Sequence, residues 1–372
     1  MIQPRLQKLD AAIREAKVDL VLLTSLASLG YFAGYTAGIE TGPSPFSPVL
    51  GALLWIAGEP PQIFLADMES SEGLFPGFEV TPFESYTVEK PLGAAKDLAA
   101  KLLARLEKLP ACRAGIEAEE LPAAIFEALG SRCPQIEFQD IKPALAKIRM
   151  IKDEQEISIL REALELCDLG QTLIKKLAQL GMTEIELFAD MRKGMESSAG
   201  GRLPLLADLV SGPRTAEIGG PPTSRRLENG DLIISDLVPR HRGYWGDTCN
   251  TCVVGEPTSE QRKLFEGIAA ALAEGIERVR PGVRASDLDR NLRKRVLELG
   301  GGYPHHSGHG LGVTWHEEPR IVPYNPLPLQ PGMVIALEPG IYFKGRFGLR
   351  LEHVILVTEK GSEILSKLRH TL

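Results

Sequence analysis

Three apolar stretches in the second half of this chain each contain an acidic residue where a core residue is expected. Asp236 stands in LIISDLV, Glu338 ends GMVIALE, and Glu352 stands inside GLRLEHVILVT. The aliphatic and β-branched residues around them predict buried strands. Each acid alone is compatible with a salt bridge in the core, because a buried carboxylate needs a compensating partner. Three such acids in one region instead favour a shared metal site.

A fourth acid, Asp247, follows Asp236 in a predicted hairpin. Segment 231–255, DLIISDLVPRHRGYWGDTCNTCVVG, has strand-forming residues on both sides of a polar turn at Pro239–Gly243. The midpoint between the two aspartates lies in that turn, so we expect them to face each other across the strands. Directly opposed carboxylates repel each other. A metal ion between them would relieve the repulsion, while a surface pair with counterions is the alternative.

Four of the seven histidines lie in one glycine-rich segment, YPHHSGHGLGVTWHEEP at 303–319. Taken alone, this segment is as compatible with a solvated loop as with a functional site. Beside the four acids it offers an imidazole ligand. Four carboxylates and one imidazole form an oxygen-rich set that suits Mn²⁺ or Co²⁺, with Fe²⁺ or Zn²⁺ as alternatives. The four negative charges exceed what one divalent ion needs, which favours two bridged ions and hydrolysis of an amide-like C–N bond.

The chain of 372 residues is predicted to be an α/β (α+β) protein with two domains, 1–140 and 141–372. The first domain alternates helices and strands, with a helix over Leu6–Ala16 and a hairpin over 51–67. It has no convergent set of catalytic residue types. Its expected roles are packing, dimerisation or covering a site.

The second domain repeats an order of elements. Two helices followed by strands are predicted at 153–254 and again at 258–358. The second copy opens with a capping box formed by Thr258 and Gln261. This duplicated order would suit a site built between two similar halves.

Composition excludes several classes of protein. The net charge is −7 and no long basic run occurs, which argues against nucleic acid or an anionic membrane as the main partner. The longest apolar runs are too short to span a bilayer, and the N-terminus lacks the pattern of a secretory signal. Five cysteines form no disulfide framework. We therefore expect a cytoplasmic protein.

The motifs of 141–372 resemble the creatinase/prolidase/methionine-aminopeptidase family, which has the "pita-bread" fold. The resemblance rests on SDLVP, GYWGD, GHGLG, HEEP, LEPGIY and GLRLEHVILVT. It implies a C-terminal pita-bread domain and a dinuclear metallopeptidase of the Xaa-Pro dipeptidase or aminopeptidase type, with a small peptide substrate and a homodimeric state. The first domain resembles more loosely the N-terminal domain of the proline-specific and creatinase members, including YFAGYTAG at 31–38.

The resemblance also implies a role for each site residue. Asp247 and Glu352 match bridging carboxylates, and Glu338 matches a ligand that also shuttles the proton. His316, in HEEP, matches a non-ligand histidine that contacts the substrate or the developing oxyanion. Arg350 matches an arginine beside the site that supports the substrate or a ligand. All five metal-ligand positions match in identity and order: Asp236, Asp247, His309, Glu338 and Glu352.

Four positions depart from the family pattern. Proline-specific members carry a substrate-contacting histidine where this chain has Gly219. Cys249 and Asn250 replace a usual threonine and a usual arginine, and His353 replaces a usual acid. A hydrolase of a small non-peptide amide is therefore an alternative, and a non-catalytic binding protein is a third. If Xaa-Pro peptides are cleaved, another group must make the missing contact. His241, His305 and His353 are the candidates.

Overall fold

A computed structural model describes residues 2–36, 51–67 and 75–372. The chain divides into two compact units, Met1–Ile148 and Arg149–Leu372. Within the described ranges, no helix combines the length and the apolar character needed to cross a membrane. The last two residues of YFAGYTAG, 37 and 38, lie outside the described residues.

The N-terminal unit contains a six-stranded mixed sheet. Its helices are α1 Ile2–Ala16, α2 Leu26–Ser28, α3 Ala94–Leu106, α4 Ala123–Arg132 and α5 Lys142–Met150, the last of which extends past the boundary at Ile148, with a π-helical turn at Leu29–Ala33. Its strands are β1 Leu20–Leu23, β2 Ala52–Ile56, β3 Gln62–Ala66, β4 Glu79–Phe83, β5 Cys112–Ile116 and β6 Ile136–Asp140. The strands lie in the order β4-β3-β2-β1-β5-β6. Helices α3 and α4 pack on this sheet, because Leu98, Leu102 and Ile125 join its buried cluster.

The predicted elements of this unit are confirmed. The helix expected at Leu6–Ala16 begins earlier, at Ile2. The hairpin expected over 51–67 is the antiparallel pair β2 and β3, and Gly58 supplies the positive φ of 83° in its turn. The local hydrophobic pattern was therefore sufficient to find these elements.

The C-terminal unit contains four long helices and eleven strands among its described residues. Its helices are α6 Glu154–Leu177, α7 Glu184–Ala199, α8 Ser259–Arg278 and α9 Ala285–Leu297, with a 3₁₀ turn at Gly212–Glu217. Its first strands are β7 Leu205–Ser211, β8 Leu232–His241, β9 Tyr244–Trp245 and β10 Thr248–Val253. The later strands are β11 Gly308–Gly310, β12 Glu317–Ile321, β13 Val334–Leu337, β14 Gly340–Phe343, β15 Phe347–Arg350, β16 His353–Val357 and β17 Ser362–Ile364.

The duplicated order of elements is confirmed in this unit. Helices α6 and α7 share a buried cluster with β7, β8 and β10, which form one sheet. Helices α8 and α9 share another cluster with the sheet β12-β11-β13-β16-β17. Capping boxes start α6, α7 and α8, at Asp153, Thr183 and Thr258. Each half therefore buries the apolar face of its own helices against its own sheet.

The prediction that Asp236 and Asp247 face each other is wrong, because the residue opposite Asp236 lies two positions beyond Asp247. The strands are joined by a two-residue turn at Arg242–Gly243, with φ of 49° and 88°, where the twist of the strands favours positive φ. This turn lies one residue beyond the expected midpoint, so Asp236 pairs with Cys249. Asp247 lies just before β10 and is the diagonal neighbour of Asp236.

The predicted location of Glu352 inside a strand is also wrong. Strand β15 ends at Arg350 and β16 begins at His353, and the two strands belong to different sheets. Glu352 lies at the break, where its backbone N–H donates to the carbonyl oxygen of Cys249 at 3.0 Å. The chain therefore changes sheets at Glu352, and the acid sits between the two halves of the unit.

Candidate functional site

Seven predicted site residues line a single cavity of about 430 Å³ in the C-terminal unit: Asp236, Asp247, His309, His316, Glu338, Arg350 and Glu352. They come from both halves of the unit, since β8 and β10 belong to the first sheet and β11 and β13 to the second. Glu338 directly follows β13, as the sequence predicted.

Three of the acids approach each other closely. Carboxylate oxygens of Asp236, Asp247 and Glu352 lie within 4.8 Å of one another. Oδ1 of Asp236 and Oε1 of Glu352 are buried and accept no hydrogen bond. Burial, and then the charge of Glu352, raises the pKa of Asp247 well above its ordinary value. Buried carboxylate oxygens that lack donors and repel each other fit a divalent cation.

His309 presents one ring nitrogen to this group. Its Nδ1 lies 2.9 Å from the carbonyl oxygen of Gly310, so Nδ1 carries the proton and donates it. The unprotonated Nε2 lies 3.6 Å from Oδ2 of Asp247 and 3.6 Å from Oε1 of Glu338. A backbone partner that holds the tautomer in this way is common among metal-binding histidines.

The surroundings of Glu338 favour the protonated, uncharged form of its carboxyl group. Burial raises the pKa of its carboxyl to about 8, with a further contribution from Asp236. Its Oε1 lies 3.2 Å from Nδ1 of His306. Its backbone N–H donates to the carbonyl oxygen of Ser307 at 3.0 Å, which links the two strand ends that carry Glu338 and His309.

His316 is a neutral hydrogen-bond donor in this geometry. Arg320, four residues later, approaches Nδ1 of His316 with its Nη1 at 3.2 Å. A guanidinium only donates, so Nδ1 accepts and the proton stays on Nε2. Burial, followed by the charge of Arg320, lowers the pKa of His316 to about 4. Arg320 was not singled out in the sequence, although it directly follows the HEEP motif.

Arg350 is buried, with 3% of its side chain exposed, and contacts four protein groups. Its Nη2 donates to Oδ2 of Asp236 at 2.7 Å, and its Nε to Sγ of Cys249 at 3.2 Å. Its Nη1 donates to the carbonyl oxygen of Ile218 at 2.6 Å and to the hydroxyl of Tyr342 at 3.0 Å. The guanidinium therefore has a defined orientation beside Asp236.

The three candidate histidines lie in different places. His305 lines the cavity, with Nε2 3.0 Å from the Tyr342 hydroxyl. His241 contacts Glu162 at 3.1 Å, and His353 contacts Oγ of Ser366 at 2.8 Å; neither is among the residues that line the cavity. Of the three, His305 alone is positioned to face a ligand there.

Asp208 occupies the space beside Gly219. A Cβ atom built on Gly219 would lie 1.8 Å from Oδ2 of Asp208, so no side chain at 219 fits while that carboxylate is in place. Asp208 lies on β7, opposite Asp236 in register, and lines the cavity. The sequence carried a signal for it, because Asp208 is also an acid in an apolar run, LLADLV.

Two of the other departures, Asn250 and His353, belong to one cluster behind Glu352. The ring of His370 contacts Oδ1 of Asn250 at 3.0 Å and the carbonyl oxygen of Glu352 at 3.1 Å. The ring of His353 lies 4.5 Å from that of His370, measured between centroids. A C-terminal residue that the sequence did not single out, His370, therefore supports the backbone of a candidate ligand.

Comparison with known families agrees with these observations. Residues 158–359 match the model of metallopeptidase family M24, and residues 5–151 match the creatinase/prolidase N-terminal domain. An Xaa-Pro dipeptidase from Pyrococcus horikoshii is 30% identical over 376 residues, which cover 100% of this chain and 99% of the relative.

Solved structures are similar over the whole chain. A prolidase from Pyrococcus horikoshii OT3 superposes with a TM-score of 0.85 at 29% identity, covering 99% of each chain. An X-Pro aminopeptidase from Thermotoga maritima superposes with a TM-score of 0.84 at 26% identity, covering 98% of each chain. The match extends through both the N-terminal and the C-terminal unit.

Proposed function

Because this chain belongs to metallopeptidase family M24, we propose that it hydrolyses the Xaa–Pro bond of short peptides. The relatives named as Xaa-Pro dipeptidase, prolidase and X-Pro aminopeptidase support this substrate class. The observation that carries the proposal is the convergence of four acids and one imidazole on a single cavity, with buried carboxylate oxygens that accept no hydrogen bond.

Divalent metal ions belong to the chemistry of this family, and we assign two of them to this site. The residues that would hold them are Asp236, Asp247, His309, Glu338 and Glu352, and the family resemblance implies the bridging role for Asp247 and Glu352. Four carboxylates exceed the charge of one ion, and oxygen-rich ligands favour Mn²⁺ or Co²⁺ over Zn²⁺ or Fe²⁺. When bound, the ions supply Lewis-acid polarisation of the scissile carbonyl.

The protein's own side chains handle the proton and the developing charge. With the ions bound, Glu338 would be deprotonated, so it would accept a proton from the attacking water at a carboxylate oxygen and deliver it to the leaving proline nitrogen. His316 donates its Nε2–H to the oxyanion that forms from the carbonyl oxygen. The contact between Arg320 and Nδ1 of His316 supports this role, since it keeps the proton on the other ring nitrogen.

Arg350 is assigned to ligand support. The resemblance left two roles open for it, contact with substrate or support of a ligand. Its hydrogen bond to Asp236 and its near-complete burial favour the second role. Support of Asp236 by a fixed guanidinium would orient the carboxylate toward the ions.

The proposal is tested with protein reconstituted in Mn²⁺ and, separately, in Co²⁺. Elemental analysis should approach two ions per chain. A panel of Xaa-Pro dipeptides and longer Xaa-Pro peptides should be cleaved, with Ala-Ala as the control substrate. Full metal loading with no turnover of any Xaa-Pro peptide would contradict the proposed substrate class.

A second candidate function is hydrolysis of a small non-peptide amide. The observation that favours it is the Asp208 carboxylate beside Gly219, which leaves no room at 219 for the substrate-contacting histidine that the resemblance implies there. Small cyclic amides and N-acyl amides therefore belong in the same panel. Turnover of one of these compounds without turnover of Xaa-Pro peptides would select this candidate.

The homodimeric state is also a prediction, which comes from the family resemblance. Light scattering coupled to size-exclusion chromatography measures it directly, and a mass near 40.5 kDa would show a monomer instead.

A further inference from the structure

The cavity wall contains one acid outside the assigned ligand set. Among the described residues that line the cavity, the formally charged side chains are Arg350 and five acids. Four of these acids are the assigned ligands, and the fifth is Asp208. Its side chain is 38% exposed, whereas that of Arg350 is 3% exposed. A ligand entering the cavity therefore meets the charge of Asp208 more directly than that of Arg350.

Arg350 compensates Asp208 only in part. Its Nη2 lies 3.6 Å from Oδ2 of Asp208, too far for a hydrogen bond, and donates to Asp236 at 2.7 Å instead. Its other N–H groups face Cys249, Ile218 and Tyr342. The Asp208 carboxylate also meets the backbone N–H of Gly220, and a carboxylate has about four acceptor sites, so it keeps acceptor capacity for a ligand.

The backbone at Gly219 is matched to this carboxylate. A Cβ atom on Gly219 would lie 1.8 Å from Oδ2 and 2.5 Å from Cγ of Asp208. The neighbouring Gly220 holds the same loop on β7, because its carbonyl oxygen accepts from the backbone N–H of Leu209 at 3.0 Å. The Asp208 side chain can therefore occupy this position only when residue 219 is glycine.

We propose that Asp208 binds a positively charged group of the substrate and so sets specificity. A carboxylate that is open to the cavity, and whose nearest cation donates its hydrogen bond to Asp236 instead, favours an added ammonium or guanidinium group. Two parts of a peptide carry such a group, the amino terminus and a basic side chain. The inference rests on the proposed function, because the bound molecule is the one hydrolysed at the adjacent metal site.

Two matched substrate pairs separate these sources. Lys-Pro and norleucine-Pro differ in the side-chain cation, while Ala-Pro and propionyl-Pro differ in the amino terminus. For the pair that carries the recognised cation, Asp208→Asn should lower kcat/KM of the charged member by roughly 10- to 100-fold, mainly through KM. The neutral member should change by less than about 3-fold.

Glu217→Gln is the matched control, since Glu217 is an exposed acid on the loop beside Gly219 and does not line the cavity. It should leave both pairs unchanged. Metal content of Asp208→Asn should equal that of the wild type. An equal loss for charged and neutral members, or no loss for either, would overturn the inference.

Gly219→Ala provides an independent variant. Its methyl group would displace the Asp208 carboxylate and should reproduce the loss of charge discrimination. The double variant Asp208→Asn, Gly219→Ala should lose no more discrimination than either single variant, because both remove one contact. Additive losses would show that the two residues act separately.

Failure of the proposed function is distinguishable from failure of this inference. If wild-type protein cleaves no Xaa-Pro peptide, the proposed function fails. Metal-loaded wild type and Asp208→Asn are then titrated in a calorimeter with alkene isosteres of the same substrate pairs. This experiment tests the role of Asp208 by binding alone. Preference of the wild type for a charged isostere, lost in Asp208→Asn, supports the inference, and equal binding by both proteins overturns it.

Discussion

Glu117 in the N-terminal unit and Glu352 in the C-terminal unit are both almost fully buried, with 3% and 1% exposed. Their surroundings differ. Glu117 accepts hydrogen bonds from the backbone N–H groups of Thr24 and Ser25 and from the hydroxyls of Ser25 and Ser28, at 2.6–3.1 Å. Glu352 lies among other acids, and its Oε1 accepts no hydrogen bond.

This comparison separates two kinds of buried acid. Several N–H and O–H donors stabilise a carboxylate in the interior without any ion. Burial, and then the charges of Asp236 and Glu338, raises the pKa of Glu352 well above its ordinary value. Burial alone therefore does not mark a functional acid; the decisive feature is a missing donor.

The largest expected effect is that of Glu352→Ala. As an assigned bridge, Glu352 would hold both ions, so its loss should remove bound metal and reduce turnover to background. Elemental analysis and an Xaa-Pro assay measure both. Glu117→Gln is the control and should keep its metal and its turnover per folded molecule. An active, fully metallated Glu352→Ala protein would remove the distinction between the two acids.

His316→Ala should lower kcat by about 10²–10³, the usual contribution of one donor to an oxyanion. Metal content should stay at the wild-type value, because His316 is assigned no ligand role. Steady-state kinetics and elemental analysis of the same preparation test the two statements together. Loss of an ion in this variant would mean that the roles of His309 and His316 are exchanged.

In metal-free protein, replacement by glutamine should have different effects on stability at the two glutamates. Glu117→Gln should lower the free energy of unfolding by about 1–3 kcal/mol, because donors in the N-terminal unit lose their acceptor. Glu352→Gln should leave it unchanged or raise it, since repulsion with neighbouring acids is removed. Urea unfolding in excess chelator measures both variants. Equal destabilisation by both would contradict the comparison.

The smallest expected effect is the pH dependence of metal-free protein. Burial raises the pKa of Glu338 to about 8 from 4.5, so the folded state binds more protons than the unfolded chain in this interval. The contribution of Glu338 to stability is therefore lost as pH rises through about 8, by roughly 1 kcal/mol per pH unit. Saturating Mn²⁺ should abolish this trend, because the metal binds the deprotonated acids.

The difference between metal-free wild type and Glu338→Gln in urea unfolding, followed from about pH 7 to about pH 8, isolates this effect. The cavity histidines contribute an opposite trend to both proteins, because burial lowers the pKa of His305 to about 3 and that of His316 to about 4, whereas about a quarter of such rings are protonated in the unfolded chain at about pH 7. A wild type that does not lose stability relative to Glu338→Gln as pH rises would contradict the assigned sign.

The sequence by itself determined the elements and the set of ligand-type residues. Acids inside apolar runs identified Asp236, Glu338 and Glu352, because a strand pattern is local and a buried charge stands out against it. The duplicated order of helices and strands was likewise readable, since capping boxes and hydrophobic period depend on neighbours within a few residues. The mixed α/β class and the pita-bread fold followed from these local signals together with the family resemblance.

Only the tertiary structure decided which distant groups touch. The register of Asp236 depended on a turn of two residues, and the break at Glu352 depended on a change of sheet. The contacts of Asp208 with Gly219 and of His370 with Asn250 join segments that no periodic pattern relates. Periodicity predicts the face on which a side chain lies, whereas packing between sheets decides what that side chain meets.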